Sequence, residues 1–366
     1  MRHQLKSEGL TAARRLGVFA ALRFVRRRHA VVLAYHGVLT RSRAASAYLD
    51  YNFIPADAFD CQIAHLKQHY HPVSLSEFVA SREDGRELPP RAVLVTFDDG
   101  FANNWHVAYP ILRSHGVPFA VFLATGLIGR ADAQLWSERA SRTVYLSDRS
   151  RVSIDLAGRR RQFDLSTPQL REQASRAIVQ LLKRLDPAGR ERHLVSIEQA
   201  FGRRAVSVAE RERYDFLTWN DVREMARAGV EFGSHTVTHP ILSTLDTATL
   251  ERELVESKRQ IEEQLGIPCQ TFAYPNGGAG DFGPRERRAV RDAGYRCAFA
   301  LLGGLVGSAD DPYALQRVNI GRDFNEPMVE AAATGVLGWG SKIRRIVTKA
   351  DRRASESASP ELEYVH

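Results

Sequence analysis

Two adjacent aspartates and a pair of histidines are the residues of this chain best suited to catalysis. Asp98 and Asp99 stand in the run TFDDG, residues 96–100, directly after an apolar stretch typical of a buried strand. His235 and His239 are four residues apart, and on a helical turn that spacing lets both imidazoles reach one metal ion. Adjacent aspartates also form turns, and such histidine pairs arise by chance. Together, however, two histidines and one carboxylate predict a metal centre with positions open for water and substrate.

Three further turns that contain polar residues or glycine follow apolar runs in the same way. They are AYHG at residues 34–37, FAYPNG at 272–277 and LQRV at 315–318. In α/β folds, ligands and catalytic groups collect at the carboxyl ends of parallel strands. We therefore expect the five strand ends, those before Asp98 and His235 and those that carry these three turns, to meet at the same end of the sheet or barrel.

The elements that must position these residues alternate between short β-rich runs and longer helical patterns. The predicted strands are Val31–Tyr35, Ala92–Phe97, Pro118–Leu123, Val230–Gly233, Gln270–Tyr274, Cys297–Leu301 and Ala314–Val318. The predicted helices between them are Pro55–Tyr70, Asn104–His115, Trp219–Ala228, Thr247–Leu265 and Pro284–Ala293. This order of elements predicts an α/β fold with a parallel sheet or barrel.

Residues from about 130 to 215 interrupt that order. The region is rich in arginine, and its segment VSIDLAGRRRQFDL predicts a hairpin around Ala157 and Gly158. An amphipathic pattern from Thr167 to Leu185 predicts a long helix. We interpret the region as an insertion between strands. Two roles stay open for it: a lid or lobe that shapes the substrate site, and a passive structural element.

The composition is that of an ordinary globular protein, since 44% of the 366 residues are hydrophobic and 26% are charged. The three cysteines, Cys61, Cys269 and Cys297, include no CxxC pair, which argues against a disulfide framework or a cysteine zinc site. No run reaches the roughly 18 apolar residues that a membrane-spanning helix needs. The N-terminal stretch also lacks the cleavage site of a signal peptide. The sequence therefore predicts a protein that is not exported.

The net charge of +8 is concentrated at the two ends of the chain. Residues 1–30 hold eight lysines or arginines and one glutamate, and residues 341–353 hold six lysines or arginines and one aspartate. Both ends mix these bases with apolar residues, which suits helices lying on an anionic membrane surface. The alternative is solvated helices that pack on the body through one face. Because the rest of the chain is slightly acidic, no nucleic-acid partner is predicted.

The runs TFDDG, HTVTH and FAYPNG, in that order, make the chain resemble the polysaccharide deacetylases of carbohydrate esterase family 4, which share the NodB homology domain. The resemblance covers residues from about 30 to 325, and the YHGV start is most similar to the branch that acts on exopolysaccharides such as poly-N-acetylglucosamine. It implies an α/β fold, a distorted (β/α) barrel of NodB type with about seven parallel strands and an inserted lobe.

The resemblance and the charge pattern together predict three regions. Residues 1–30 are expected to form a basic amphipathic N-terminal helix. Residues 31–325 are expected to form the NodB-like deacetylase domain, with the insertion at about 130–215. Residues 326–366 are expected to form a basic C-terminal helix and a disordered tail.

The resemblance also implies roles for the residues of the first two motifs. Asp99, His235 and His239 are expected to hold a divalent metal, most simply zinc, which lowers the pKa of a bound water and polarises the acyl carbonyl. Asp98 is expected to be the general base that takes the proton of the attacking water.

In the third motif, the resemblance places an oxyanion-binding backbone amide at Asn276. Gly277 lets the backbone approach the substrate closely. Tyr274 and Pro275 complete the expected substrate-binding set.

Two positions depart from the pattern of the family. Many members have arginine two residues before the proline of the third motif, where this chain has Ala273, and Arg317 is the candidate that orients Asp98 in its place. The late Leu-x-His motif that supplies the general acid is also missing. His36 matches the early histidine that takes this role in the poly-N-acetylglucosamine branch. As alternatives, His36 is a hydrogen-bonded structural histidine and Arg317 pairs with another acid.

The predicted function is metal-dependent hydrolysis of N-acetyl groups from amino-sugar residues of a polysaccharide or lipid-linked glycan, in exopolysaccharide or cell-envelope biosynthesis. The predicted location is the cytoplasm, at the inner face of the membrane, where the basic ends meet anionic lipid. Two alternatives stay open: an O-acetyl esterase or deformylase on the same fold, and a non-catalytic glycan-binding protein.

Overall fold

The predicted apolar runs form a parallel sheet in the computed structural model of the chain, which describes residues 2–40, 51–131, 133–156, 158–202 and 213–336. The described strands are β1 (Val31–Tyr35), β2 (Gly37–Leu39), β3 (Phe53–Pro55), β4 (His71–Pro72), β5 (Ala92–Phe97), β6 (Phe119–Leu123), β7 (Arg151–Leu156), β8 (Arg159–Asp164), β9 (Glu231–Ser234), β10 (Thr271–Ala273), β11 (Cys297–Ala300), β12 (Leu315–Gln316) and β13 (Val318–Asn319). Six of the seven predicted strands are present within one residue of their predicted ends, and the seventh, predicted at Ala314–Val318, is divided at Arg317 into β12 and β13.

The main sheet curls into a nearly closed barrel. Its strand order is β12-β11-β10-β9-β6-β5-β1-β13, with β4 beside β5, and all these neighbours are parallel. Only Arg317 separates β12 from β13, so one stretch of chain pairs with β11 at one edge and with β1 at the other. The predicted fold class, a distorted (β/α) barrel, is confirmed.

Both faces of the barrel strands are buried, which explains why their sequences are continuous apolar runs. Val32, Phe122 and Phe299 come from strands that are far apart in the sheet order, yet they share one buried cluster, which therefore lies inside the barrel. The intervening residues, such as Leu33 and Val95, belong to a second cluster under the surrounding helices. Side chains alternate between the two faces of a strand, so Asp98 continues the inward row of β5.

The described helices are α1 (Arg2–Arg15), α2 (Val18–Val25), α3 (Ala56–His69), α4 (Leu75–Glu83), α5 (Tyr109–His115), α6 (Trp136–Tyr145), α7 (Pro168–Leu182), α8 (Pro187–Phe201), α9 (Trp219–Arg227), α10 (Thr247–Leu265), α11 (Pro284–Asp292) and α12 (Glu326–Ala333). All five predicted helices are present, although the one predicted at Asn104–His115 begins as a π-helix over Asn104–Ala108. Three helices were not predicted from the sequence: α4, whose Phe78 packs into the cluster inside the barrel, and α6 and α8 of the inserted region.

The insertion folds as a lobe, defined here as residues 136–201, with its own buried core. The strands β7 and β8 pair antiparallel, so the predicted hairpin is present. The predicted helix corresponds to α7, which begins at Pro168 and ends at Leu182. Ile154, Ile178 and Leu194 are among the residues of the lobe's core.

The two ends of the chain differ in part from their prediction. The N-terminal region forms two helices, α1 and α2, because Gly17 adopts a left-handed φ of 72° between them. Residues of α12, which the sequence analysis groups with the basic tail, pack into the outer core through Met328 and Val329. The basic run 341–353 lies outside the described residues. Within the described part of the chain, no helix combines the length and the apolar character that crossing a membrane requires.

Candidate active site

Asp98 follows β5 and pairs with Arg317 inside the mouth of the barrel. Two guanidinium nitrogens of Arg317 donate to the two carboxylate oxygens of Asp98, each at 2.7 Å, and one of them also donates to the hydroxyl of Thr96 at 3.1 Å. Neither side chain of the pair is more than 1% exposed. Burial by itself raises the pKa of Asp98. The charges of Arg317 and His235 have the larger, opposite effect, and the pKa is lowered to about 2. The carboxylate is therefore ionised at neutral pH and held in one orientation.

Among the described residues, the acid that pairs with Arg317 is thus Asp98. Ala273, at the position where many members of the resembled family have arginine, is a buried residue of the cluster inside the barrel. The arginine reaches Asp98 instead from the junction of β12 and β13, where the barrel closes.

We expect Arg317→Met to lower the free energy of unfolding by about 3–5 kcal/mol, because it leaves the buried Asp98 charge without its partner. Chemical denaturation followed by circular dichroism measures the change. Arg259→Met is the matched control, since Arg259 pairs with Glu256 and Glu263 on the exposed surface of α10, where such pairs contribute less than about 1 kcal/mol. Equal stability of the two variants would contradict the expectation.

Asp99, His235 and His239 meet beside this pair. Oδ1 of Asp99 lies 3.6 Å from Nε2 of His235 and 3.3 Å from Nε2 of His239. One ligand atom from each residue lies within 4.8 Å of the other two, and all three side chains are buried. Ligand atoms about 2.0–2.2 Å from a tetrahedral ion are roughly 3.3–3.6 Å apart, so the two measured separations suit a shared ion.

The protonation of the two histidines also suits a metal. Burial lowers the pKa of His235 to about 4 and that of His239 well below its ordinary value, so both imidazoles are neutral at neutral pH. Nδ1 of His235 donates to the carbonyl of Ala273 at 2.7 Å, which leaves the lone pair of Nε2 directed at Asp99. The donor set of two neutral imidazoles and a carboxylate therefore fits a divalent metal ion.

The two histidines do not lie on the helical turn that their spacing suggests, so that part of the prediction was wrong. Thr236 and His239 have φ values of 71° and 56°, which a right-handed helix does not contain. The loop is held by Glu253 of α10, which accepts from the backbone N–H groups of Val237 and Thr238 at 2.8 and 2.9 Å. The imidazole ring centroids still lie 4.9 Å apart, because the loop folds back on itself.

Backbone strain concentrates at the same mouth. Five residues other than glycine have a positive φ in the described parts of the chain, and four of them, Asp99, Thr236, His239 and Asn276, belong to the three motifs of the site. Such conformations cost of order 1–3 kcal/mol each and persist where the surrounding structure enforces them, typically at functional sites.

The third motif forms a loop that carries Asn276 to the mouth. Asn276 has a φ of 58° and lines the same cleft as Asp99. Gly277 also has a positive φ of 55°, and a Cβ there would lie 2.9 Å from the backbone nitrogen of Leu301. Only glycine fits that position without strain.

Tyr274 and Pro275 lie beneath this loop and not on the cleft. The ring of Tyr274 stacks on Phe282 with centroids 4.0 Å apart, and its hydroxyl donates to the carbonyl of Tyr313 at 2.9 Å. Tyr274 is only 1% exposed. The structure therefore places the predicted substrate-contacting ring in the core, where it supports the loop from below.

His36 lies beside Asp98 at the mouth. Tyr35 and Phe97 are partners in the pairing of β1 with β5, so the next residues, His36 and Asp98, leave neighbouring strand ends at the same level. Burial lowers the pKa of His36 to about 4, although the charge of Asp98 raises it. Its buried Nδ1 has no hydrogen-bond partner among the described residues. Nδ1 of His36 therefore makes no structural hydrogen bond within the described part of the chain.

A cleft of about 380 Å³ opens between the barrel mouth and the lobe. Asp99, Asn276 and the ring of Phe101 lie on its barrel side, and side chains of α6 and α7 form the wall of the lobe. Phe101 directly follows the TFDDG run, but aromatic residues near a barrel mouth more often pack in the core, so the predicted site does not include it. No sequence signal distinguished the lobe residues from ordinary surface residues. Their place in the cleft follows from the packing of the lobe on the barrel.

Comparisons with known proteins agree with the fold and the motifs. A sequence model of the family described as "Polysaccharide deacetylase" matches residues 85–298. The Bacillus subtilis protein YxkH is 19% identical over 268 residues, which are 73% of this chain and 65% of that protein. The poly-beta-1,6-N-acetyl-D-glucosamine N-deacetylase of Staphylococcus aureus is 36% identical over 72 residues, 19% of this chain and 24% of that protein. The chain thus spans less than two thirds of the length of either relative.

Among solved structures, the deacetylase PplD of Streptococcus pyogenes, in complex with acetate, has the same fold. It superposes with a TM-score of 0.55 at 18% identity, over 83% of this chain and 98% of that one. The family match covers more than half of the chain, and it includes the strand and loop that carry Asp98, Asp99, His235 and His239. The chain therefore belongs to the polysaccharide deacetylase family, a family of hydrolases that act on carbon–nitrogen bonds in carbohydrates.

Proposed function

We propose that this protein is a metal-dependent deacetylase that removes N-acetyl groups from amino-sugar residues of a polysaccharide or lipid-linked glycan, in exopolysaccharide or cell-envelope biosynthesis. The observation that carries the proposal is the contact between Arg317 and Asp98 directly beside the metal-binding set, because it puts an oriented base next to a Lewis-acid site. The name of the staphylococcal relative, an N-deacetylase of an amino-sugar polymer, supports the choice of substrate.

A divalent ion, most simply zinc, held by Asp99, His235 and His239 would polarise the acyl carbonyl and acidify a bound water. Asp98 accepts the proton of the attacking water, and the two hydrogen bonds from Arg317 keep its carboxylate in position for this transfer.

The other proposed roles belong to the third motif and to β1. The backbone N–H of Asn276, presented by the strained turn before Gly277, donates to the oxyanion. His36 delivers a proton to the leaving nitrogen, and its low pKa makes it a strong donor once it is protonated during turnover. The products are acetate and a free amine.

Acetate release from N-acetylglucosamine oligomers, by purified protein stripped of metal and then resupplied with zinc or cobalt, tests the proposal. We expect release only after resupply. Stoichiometric metal binding without release, combined with hydrolysis of a chromogenic acetyl ester, would contradict N-deacetylation and favour the O-acyl alternative. Absence of metal binding would favour a non-catalytic glycan-binding protein.

We expect His36→Ala to lower amide hydrolysis about 100- to 10,000-fold and hydrolysis of a chromogenic ester much less, because an amine needs protonation to leave whereas the anion of an acidic phenol does not. The ratio of kcat/KM for an N-acetyl sugar to that for a chromogenic acetyl ester measures the difference. Loss of both activities by the same factor would assign His36 a structural role instead.

We propose further that the protein works at the cytoplasmic face of a membrane, whose leaflet is anionic. Phe19 of α2 is buried against the body and Arg23 pairs with the buried Glu330, so one side of α2 is anchored. Large apolar side chains of the same region stay between 42% and 81% exposed: Leu16, Val18, Phe24 and Val25. Exposed arginines stand among them: Arg14, Arg15, Arg27 and Arg28. Exposed apolar groups surrounded by bases complement an anionic lipid surface.

We expect the double variant Phe24→Ser, Val25→Ser to bind phosphatidylglycerol vesicles at least about tenfold more weakly than the wild type, because it removes apolar area that the interface buries. Co-sedimentation at low salt measures the affinity. The matched control is Val255→Ser, Ile267→Ser, which removes two side chains that are 53% and 55% exposed elsewhere on the surface. Failure of the wild type to bind anionic vesicles would contradict this location.

A further inference from the structure

The lobe is tied to the barrel at both ends of α7. Near the beginning of the helix, Glu172 accepts from Arg322 at 3.3 Å, and Arg322 follows β13 at the mouth of the barrel. Directly after the helix, Lys183 donates to Asp281 at 2.8 Å. Asp281 in turn accepts from the N–H of Gly278 at 2.7 Å, next to the loop of the third motif. The helix between the two ion pairs is about 16 Å long, so α7 lies across the mouth.

The wall that the lobe presents to the cleft is polar. Its lining residues are Ser137, Glu138, Ser141 and Tyr145 of α6, and Glu172, Ser175, Arg176, Val179 and Gln180 of α7. Their spacing places each set on one side of its helix. Val144, Ile178 and Leu182, on the other sides, form the lobe's core. Each helix is thus amphipathic, and its polar side faces the catalytic groups.

The charges of this wall balance one another. Glu172 lies 2.6 Å from Arg176 and 3.3 Å from Arg322, which also lies 3.5 Å from Asp323, and Glu138 accepts from Arg142 at 3.0 Å. Because the acids are matched by arginines, the wall offers no excess positive or negative charge to a ligand. Hydroxyl, amide and paired charged groups suit a neutral ligand that is rich in hydroxyl groups.

The opposite wall of the cleft also contains aromatic residues, of which Tyr51 presents an accessible ring. Tyr51 is 36% exposed, whereas Phe53 and Phe101 are 3% and 2% exposed and pack against each other and against Phe216. An accessible aromatic ring combines an apolar face with specific contact geometry, and such a face packs against the apolar face of a sugar ring. The cleft volume of about 380 Å³ lies within the size range of sites for drug-sized ligands. The cleft is therefore larger than is needed to place one acetyl group beside Asp99, His235 and His239.

We propose that the cleft-facing side of α6 and α7 binds the sugar residues that neighbour the one being deacetylated, in a neutral glycan chain. The lobe then makes the enzyme prefer chains over single sugars. This inference rests on the proposed function for the identity of the reaction, and on the geometry of the lobe for the binding site.

Chain-length dependence of acetate release tests the inference. The substrates are N-acetylglucosamine and its β-1,4- and β-1,6-linked oligomers of two to five residues. We expect kcat/KM of the wild type to rise at least tenfold from the monomer to the trimer in one of the two series. In Gln180→Ala and in Arg176→Ala, we expect the rise in kcat/KM to be at least threefold smaller than in the wild type. The reason is a higher KM for the oligomers, and kcat should not change.

Gln199→Ala is the matched control, since Gln199 is exposed on α8 of the same lobe and does not line the cleft. It is expected to keep the full rise. A rise that is unchanged in both cleft variants would overturn the inference. So would equal losses on monomer and oligomers, because they indicate a structural role.

Equilibrium binding separates this inference from the proposed function. The full-length Asp98→Asn protein, loaded with metal, is titrated with the same oligomers, with and without Gln180→Ala. We expect the trimer to bind at least tenfold more tightly than the monomer, and the added substitution to remove at least threefold of this gain. If binding depends on chain length but the wild type releases no acetate, the proposed function is contradicted and the binding site on the lobe is supported. If the wild type releases acetate but neither rate nor binding depends on chain length, the proposed function is supported and the binding site on the lobe is contradicted.

Discussion

Asp98→Asn is expected to reduce kcat for acetate release about 100- to 10,000-fold, because an amide cannot accept the proton of the attacking water. The metal ligands Asp99, His235 and His239 are unchanged, so bound metal should remain stoichiometric. The same substitution leaves the buried Arg317 beside a neutral group, and we therefore expect a lower free energy of unfolding as well. Acetate release and metal analysis are both made well below the melting temperature of the variant.

Asp246→Asn is the matched control for this experiment. Asp246 caps the beginning of α10 by accepting from the N–H of Thr249 at 2.8 Å, and asparagine caps helices equally well. The control should therefore keep both activity and stability. If Asp98→Asn retained more than about a tenth of the wild-type kcat, Asp98 would not be the general base.

The second large effect is expected for His239→Gln, which removes one of three protein ligands. We expect metal content to fall below stoichiometry and acetate release to fall at least about 1,000-fold, because a bound metal contributes several kcal/mol to such reactions. Unlike Asp98→Asn, this variant should recover part of its activity at high zinc concentration. Metal analysis after dialysis and a zinc titration of activity measure the two effects.

Thermal stability gives an independent measure of the same ligand. Zinc that binds only the folded state at 100 times its Kd stabilises a protein by about 2.7 kcal/mol. Zinc should therefore raise the melting temperature of the wild type and of His71→Gln, whose histidine is exposed on β4, but not that of His239→Gln. Zinc stabilisation of His239→Gln equal to that of the wild type would exclude His239 as a ligand.

The sequence by itself determined the barrel strands and the positions of the three motifs. This was possible because strands that are buried on both faces have continuous apolar sequences, and because the motif residues follow those sequences directly. The bounds of α10 were also predicted correctly, because its apolar residues recur at helical spacing between the N-cap Asp246 and the C-cap Gly266. The helices that the sequence did not predict, α4, α6 and α8, have apolar residues whose burial depends on packing against neighbouring elements and not on a helical period alone.

Only the tertiary structure decided how the site is completed. Arg317 and Asp98 are 219 residues apart, and they meet because the barrel closes at the β12–β13 junction. The two histidines meet through a strained loop and not through the helical turn that their spacing suggested. Tyr274 belongs to the core although its motif position favoured a substrate contact. Such contacts depend on which elements pack together, and local patterns of residue type and spacing do not contain that information.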